Sequence, residues 1–311
     1  MIRLPIAAVW MAVGLASVGA VRFQQPAGPV VSVDVLVTTA DGTPVPALRA
    51  EDFELVTGAY TPPIVSFAVG KQPLTIVFLV DVSASVTARL PRDVLEEDVE
   101  KALIDVLQAG EQLRIGGFGK EIVLNSGLSS NRRQLRGELR SAISHRREDL
   151  FGPSPIWDAT YQAIESFPPT EGRRVLILLT DGRATGNVHS VEEVARAAAQ
   201  NGIAIHIVGQ DREYQLRQDA TTAVAVRPGN ALRWLADVTG GQFISGMTWR
   251  ERGPARALTQ IMTGLRQTYT LAFEAPVADG RLHPLEVRVR RANVKVRGRS
   301  LYVAPKSGVR S

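Results

Sequence analysis

The chain has no cysteine, only four histidines, and an aromatic content of 6% across its 311 residues. The missing thiol excludes a disulfide framework, a zinc–thiolate or iron–sulfur site, a cysteine nucleophile and a lipid-modified cysteine anchor. His145, His189, His206 and His283 never fall within one helical turn of each other, which removes the short-spacing two-histidine zinc motifs. There is no internal repeat and no low-complexity segment. The net charge of +5 is far from the dense basic stripe of a nucleic-acid binder, so no nucleic-acid partner is expected. After residue 20 no run is long and apolar enough to span a bilayer. What is present is 45% hydrophobic and 22% charged, the balance of a globular chain with room for a sizeable core.

The first twenty residues read as a signal peptide. Arg3 supplies a positive start, residues 4–20 carry no charge, and Val18-Gly19-Ala20 ends the run with small residues. The run of about 17 residues is at the short end for crossing a ~30 Å hydrocarbon core. The small-residue ending favours cleavage near Ala20 over an uncleaved anchor, and membrane attachment is expected only for the uncleaved form. Either way the body of the protein is expected outside the cytoplasm, periplasmic or secreted.

Three regions follow. Residues 28–70 form a β segment: Val31, Val33, Val35 and Val37 alternate with Val30, Ser32, Asp34 and Leu36. Asp41-Gly42 is a turn signal, and short strands are expected at 52–56 and 64–67. Residues 71–266 alternate strands with helices. Continuous apolar runs at 75–80, 175–179 and 203–208 predict strands buried on both faces. Shorter strands are expected at 112–118, 121–124 and 242–244. Helical spacing covers 94–107, 131–144, 157–167, 191–200, 231–238 and 254–266. The alternation predicts an α/β, doubly wound, mostly parallel sheet. Residues 267–305 return to β, with strands at 268–273, 285–290 and 294–297. Neither β segment is large enough for a good core of its own. They are expected to pair into a small β-sandwich flanking the α/β domain. The stretch 210–230 is long for a connection and lacks periodicity; it reads either as a determinant of partner choice or as a tolerated insertion.

The chemistry sits at the ends of two buried strands. The first runs into Asp81-Val82-Ser83-Ala84-Ser85, and the strand from Val175 ends in Thr180-Asp181-Gly182. Both carboxylates therefore reach the carboxyl edge of a parallel sheet, where open α/β folds bind ligands. Carboxylate and hydroxyl oxygens are hard donors that suit Mg²⁺ or Mn²⁺. Taken alone, Asp81, Ser83 and Ser85 also fit ordinary turn formation and N-capping. Asp158 reads as helix-dipole compensation in a first turn, with a supporting role behind the metal ligands as the alternative, His206 as a satisfied core histidine, and His145 as a solvated helix end. Arg288, Arg290, Arg291, Lys295, Arg297 and Arg299 read as the wet face of an antiparallel strand pair, with contact to an acidic surface as the alternative.

Asp81-x-Ser83-x-Ser85 together with Thr180-Asp181-Gly182 resembles the metal-ion-dependent adhesion site of von Willebrand factor type A domains. That family's third loop, bearing a Thr before a helix, is matched by Phe151-Gly152-Pro153-Ser154-Pro155-Ile156-Trp157 between the two strands. Ser154 takes the Thr position, keeping the hydroxyl and losing the methyl that restricts its rotamer. The flanks are similar to bacterial, notably acidobacterial, secreted proteins of the VWFA-related group. They do so at Val33-Asp34-Val35, Gly42-Thr43-Pro44-Val45, Asp52-Phe53, Thr239-Gly240-Gly241, Tyr269-Thr270-Leu271 and His283-Pro284-Leu285.

The resemblance implies that residues 71–266 are the type A domain. It implies a metal set of Asp81, Ser83, Ser85, Ser154 and Asp181, with Mg²⁺ or Mn²⁺ as cofactor. It implies a non-enzymatic protein-binding module of adhesion type, whose partner donates an Asp or Glu to the ion. Movement of the last α/β helix, here 254–266, is coupled to ligand affinity in some members of the family. Two other readings stand beside this: a metal-assisted hydrolase using Asp81 and Asp181, and a structural module with a vestigial site. The hydrolase lacks a Gly-x-Ser-x-Gly elbow, and no His is expected in the three loops.

Overall fold

The computed structural model describes residues 30–70, 72–125, 127–144, 152–169, 172–209, 231–245 and 254–306. The signal-like segment 1–20, His145, Phe151 and the stretch 210–230 lie outside the described residues. Among those described, no helix is long and apolar enough to cross a membrane.

The strands are β1 Val30–Thr39, β2 Phe53–Val56, β3 Ile64–Val69, β4 Leu74–Asp81, β5 Gln112–Phe118, β6 Ile122–Leu124, β7 Arg173–Thr180, β8 Ile203–Gly209, β9 Phe243–Ser245, β10 Tyr269–Glu274, β11 Leu282–Pro284, β12 Glu286–Val289, β13 Val294–Gly298 and β14 Leu301–Val303. The helices are α1 Ala84–Thr87, α2 Arg92–Val99, α3 Arg132–Ala142, α4 Ile156–Glu165, α5 Val191–Asn201, α6 Ala231–Thr239 and α7 Ala255–Leu265.

The central sheet has the order β6-β5-β4-β7-β8-β9, with β6 the antiparallel edge and the other neighbours parallel. Every residue of β4 and of β8 is buried, because helices cover both faces. On one face α2, α3 and α7 bring Leu95, Val99, Leu135, Leu139, Leu258 and Ile261 against Ile76, Phe78 and Ile177. On the other, α4, α5 and α6 bring Ile156, Ala163, Val194, Ala198 and Leu235 against Val77, Leu79 and Leu176. Each of the larger side chains among these contributes roughly 1.5–3 kcal/mol relative to exposure.

The fold class read from the sequence holds. Several boundaries do not. The helix expected over 94–107 is α2 followed directly by a π-type turn, Glu100–Ile104; its apolar spacing tracks burial and does not register the change of hydrogen-bond pattern. Helix caps follow sequence chemistry. Asn131 accepts from Arg133 N and Gln134 N at the start of α3. Ser190 and Glu193 form a capping box on α5, and Gly202 ends that helix with φ +63°. After α6 the chain runs so close to β8 that a Cβ on Gly241 would sit 1.9 Å from the Ile205 carbonyl oxygen.

The outer β segments interleave. β1 lies between β10 and β13, and β3 pairs with β10. β2 pairs with β12, and β11 with β14. Val31, Val33, Val35 and Val37 face Leu55, Leu271 and Phe273 in a separate core. Phe53, Phe67 and Tyr269 cluster with ring centroids 5.3–5.9 Å apart. The Tyr269 hydroxyl donates to Val45 O (2.7 Å) and accepts from Leu48 N (3.2 Å). The basic strands 286–289 and 294–298 do not pair with each other as expected. Each pairs with an N-terminal strand, because period two specifies which face is wet and leaves the partner open.

The sandwich is fastened to the α/β domain by buried polar contacts. Arg173 Nε donates to Asp34 Oδ2 (2.6 Å), its Nη1 donates to Leu265 O, and Thr270 Oγ1 donates to Asp34 Oδ1 (2.6 Å). Arg173 opens β7, whose other end leads to Asp181, so the sandwich contact and the carboxylate edge lie at opposite ends of that strand, roughly 23 Å apart at ~3.3 Å per residue. His206, in mid-strand, is buried but only half satisfied. Its Nδ1 accepts from Gln242 N (3.2 Å), and Nε2 has no partner. Burial, with Arg173 and Arg297 adding to it against Asp34, drives its pKa down to about 3.

Candidate metal centre

β4 and β7 run in parallel register, Val80 opposite Leu179, so Asp81 and Asp181 emerge at one edge. β5 lies on one side of β4 and β7 on the other. The chain therefore reverses its direction across the sheet at this point, where the loops diverge and leave a crevice.

Asp81 gathers three segments. Its Oδ1 accepts from Ser83 N (2.9 Å), an Asx turn that folds the first loop back on itself. Its Oδ2 accepts from Thr180 Oγ1 (2.6 Å) and from Ser154 Oγ (3.2 Å). The carboxylate is 1% exposed. Burial raises its pKa above the ordinary carboxylate value, the bonds from Ser83 and Thr180 oppose that rise, and the charge of Asp181 adds to it.

Ser83 stands at the N-cap position of α1 with extended dihedrals, yet its side chain caps nothing. Its Oγ lies 3.3 Å from Ser85 Oγ instead. The capping role that the sequence left open for Ser83 is therefore not taken. Ser154 is buried, with its hydroxyl turned to Asp81.

Asp181 is fully buried. Its Oδ1 accepts from Arg183 N (3.2 Å). Its Oδ2 accepts no hydrogen bond; the Arg89 Nη1 and Arg183 Nε atoms each lie 3.7 Å from it. Two neighbouring buried carboxylates, one with an oxygen no donor satisfies, and the serine hydroxyls beside them form a set of hard oxygen donors. The residues fit Mg²⁺ or Mn²⁺ on donor chemistry. Among the described residues no three His, Cys, Asp or Glu side chains converge; any ion here would depend on the serines for its remaining protein ligands.

A strip of hydrogen bonds sets the third loop. Ser154 N donates to Thr185 Oγ1 and Thr185 N to Ser154 O, both 2.9 Å. Trp157 N donates to Asn187 Oδ1 (2.7 Å). Asp158 accepts from Val188 N (2.9 Å), His189 N (2.8 Å) and the His189 ring (2.8 Å), which stacks on Tyr161. Burial works against the Asp158 charge, but these donors outweigh it and hold its pKa below the ordinary value. Asp158 thus does more than offset the α4 dipole: it clasps the loop after β7 to the first turn of α4. The sequence reading missed this clasp, as it missed Thr180 as the holder of Asp81. An Asp, Thr or Asn whose partner lies thirty to a hundred residues away leaves no periodic signal. The only hint is the density of Thr, Asn, His and Ser at 185–190.

Residues 75–227 match the family model of the von Willebrand factor type A domain. No curated protein matches the chain. Solved structures of similar fold include an aerotolerance-related membrane protein from Bacteroides fragilis, at 16% identity over 62% of this chain and 98% of that one, with a TM-score of 0.47. Proximal thread matrix protein 1 of the mussel byssus matches at 18% identity over 68% of this chain and 51% of that one, with a TM-score of 0.50. A von Willebrand factor type A protein from Catenulispora acidiphila matches at 14% identity over 90% of this chain and 71% of that one, with a TM-score of 0.46. At 18% identity the likeness to the byssus protein is one of fold.

Proposed function

Because the chain carries a von Willebrand factor type A domain, we propose that it is a non-enzymatic protein-binding module that works outside the cytoplasm and takes an acidic residue of its partner at a divalent metal site. The observation that carries this is the convergence on Asp81 of one amide and two hydroxyls from three segments, beside an Asp181 oxygen that no donor satisfies. Asp81, Ser83, Ser85, Ser154 and Asp181 would hold the ion, Mg²⁺ or Mn²⁺. A bound ion supplies an electrophilic centre to which a carboxylate can add.

The chain's own residues prepare that event. Thr180 and Ser154 pin the Asp81 carboxylate so that it is ordered in advance. The Ser154–Thr185 pair and the Asp158 clasp hold the third loop against the loop after β7. Preorganisation of this kind lowers the ordering cost of binding. Export is supported by the signal-like residues 1–20.

The test is calorimetric titration of Mg²⁺ and of Mn²⁺ into the protein and its Asp81→Ala and Asp181→Ala variants, followed by binding of acidic peptides with and without chelator. One ion per chain, lost in both variants, with chelator-sensitive peptide binding, is expected. A well-folded wild type that takes up neither ion overturns the reading.

A further inference from the structure

Asp181 cannot leave its place, and two cations wait beside it. The carboxylate is fully buried, while Arg89 and Arg183 are 34% and 50% exposed in their side chains. The two arginines come from different loops, Arg89 following α1 and Arg183 two residues past Asp181. At 3.7 Å each guanidinium is within ion-pair range of Oδ2 but too far for a hydrogen bond. They offset the charge of Asp181 without saturating its lone pairs. An ion able to make direct contact would improve on that arrangement, and it would meet two like charges already at the oxygen.

We propose that Arg89 and Arg183 are built-in counter-ions of Asp181 that a divalent ion must displace, so that the chain's own guanidiniums set the threshold for metal loading. The proposal rests on the site read above as a metal centre. Arginine suits this role because it stays charged at any physiological pH, so the competition does not vanish on titration. Partial exposure lets both side chains swing outward while the buried carboxylate stays fixed. Without the ion, the pairs keep a charge that burial would otherwise leave uncompensated.

The experiment is calorimetric Mg²⁺ titration of the full chain and of its Arg89→Gln, Arg183→Gln and double variants. Arg183→Lys serves as the charge-retaining control. Thermal melts of the same proteins, and of Asp181→Asn with and without the double change, are recorded in chelator and in saturating Mg²⁺. Each Gln variant is expected to bind Mg²⁺ roughly three- to tenfold more tightly and the double variant more tightly still, the modest size reflecting half-exposed charges. Arg183→Lys should stay near wild type. In chelator the double variant should melt below wild type, and Mg²⁺ should close the gap. Unchanged or weaker Mg²⁺ binding in the double variant overturns the proposal. If no protein in the set takes up Mg²⁺, the metal reading itself fails. In that case, melts showing that Asp181→Asn cancels the cost of losing the arginines would identify permanent ion pairs and overturn displacement.

Discussion

Ser154 is the residue where this chain departs from the Thr of the adhesion-site pattern it resembles, and the structure shows what the hydroxyl alone achieves. It is buried and donates to Asp81 Oδ2, a contact that the hydroxyl makes without the methyl. Ser154→Ala should therefore cost about 1 kcal/mol of metal-free stability, as for one hydrogen bond to a buried acceptor. It should also weaken Mg²⁺ binding by roughly tenfold, the equivalent of ~1.4 kcal/mol; unaltered titration heats would remove Ser154 from the site. His206 makes a second residue-scale case. Its folded pKa, about 3, lies below its ordinary 6.5. The unfolded chain therefore binds the proton first as pH falls. The stability due to the neutral ring is complete above pH 6.5 and is lost between there and about pH 3. The slope is at most ~1.4 kcal/mol per pH unit. Denaturant melts of wild type and His206→Gln should diverge across that window, with the variant showing the shallower loss. Parallel curves would mean that the ring is not held neutral. The sequence marked His206 as buried from the apolar run around it, and it had no means to show that Nε2 lacks a partner.

Elements were legible to the degree that their burial is regular. β4, β7 and β8 are covered on both faces and announce themselves as unbroken apolar runs. The two carboxylates at their ends follow from that register, which is why the candidate site could be placed from sequence. The loops between were less legible. Asp158 closes the loop at 188–189 onto α4 through donors some thirty residues away, and pairing at that separation has no pattern in the chain. Asp158→Ala should free the Val188 and His189 amides, with faster hydrogen exchange at those positions and a stability loss of about 1–3 kcal/mol. The Asp158 pKa lies below the ordinary 3.8. The clasp therefore contributes fully above the unfolded value and weakens as pH falls through the folded one, so the wild-type loop should begin to exchange freely only in strong acid. Slow exchange retained in the variant would show that the Ser154–Thr185 pair suffices.

At the scale of the whole molecule, the α/β domain and the sandwich are joined through Arg173 and Asp34 at the end of β7 remote from the carboxylates. The candidate site and the sandwich contact are thus separated by the length of a strand. The sequence suggested that the outer β segments meet, since neither has enough apolar surface alone. It did not show the interleaving, because alternation specifies a face and two strands of equal period compete for one edge. That interleaving has a consequence in time. β1 emerges from the ribosome before any other described strand, yet its neighbours are β10 and β13, among the last to be made. The α/β sheet draws only on residues 74–245 and can assemble in the interval. Meanwhile Val30–Thr39 waits as a valine-rich strand with both edges open, the kind of segment that seeks any strand at hand. A chain ended at Arg266 is expected to aggregate for that reason, as light scattering would show, while the full chain stays dispersed; a soluble shortened chain would mean that β1 finds shelter elsewhere. The first strand synthesised is the last to be housed, and the tail is its chaperone.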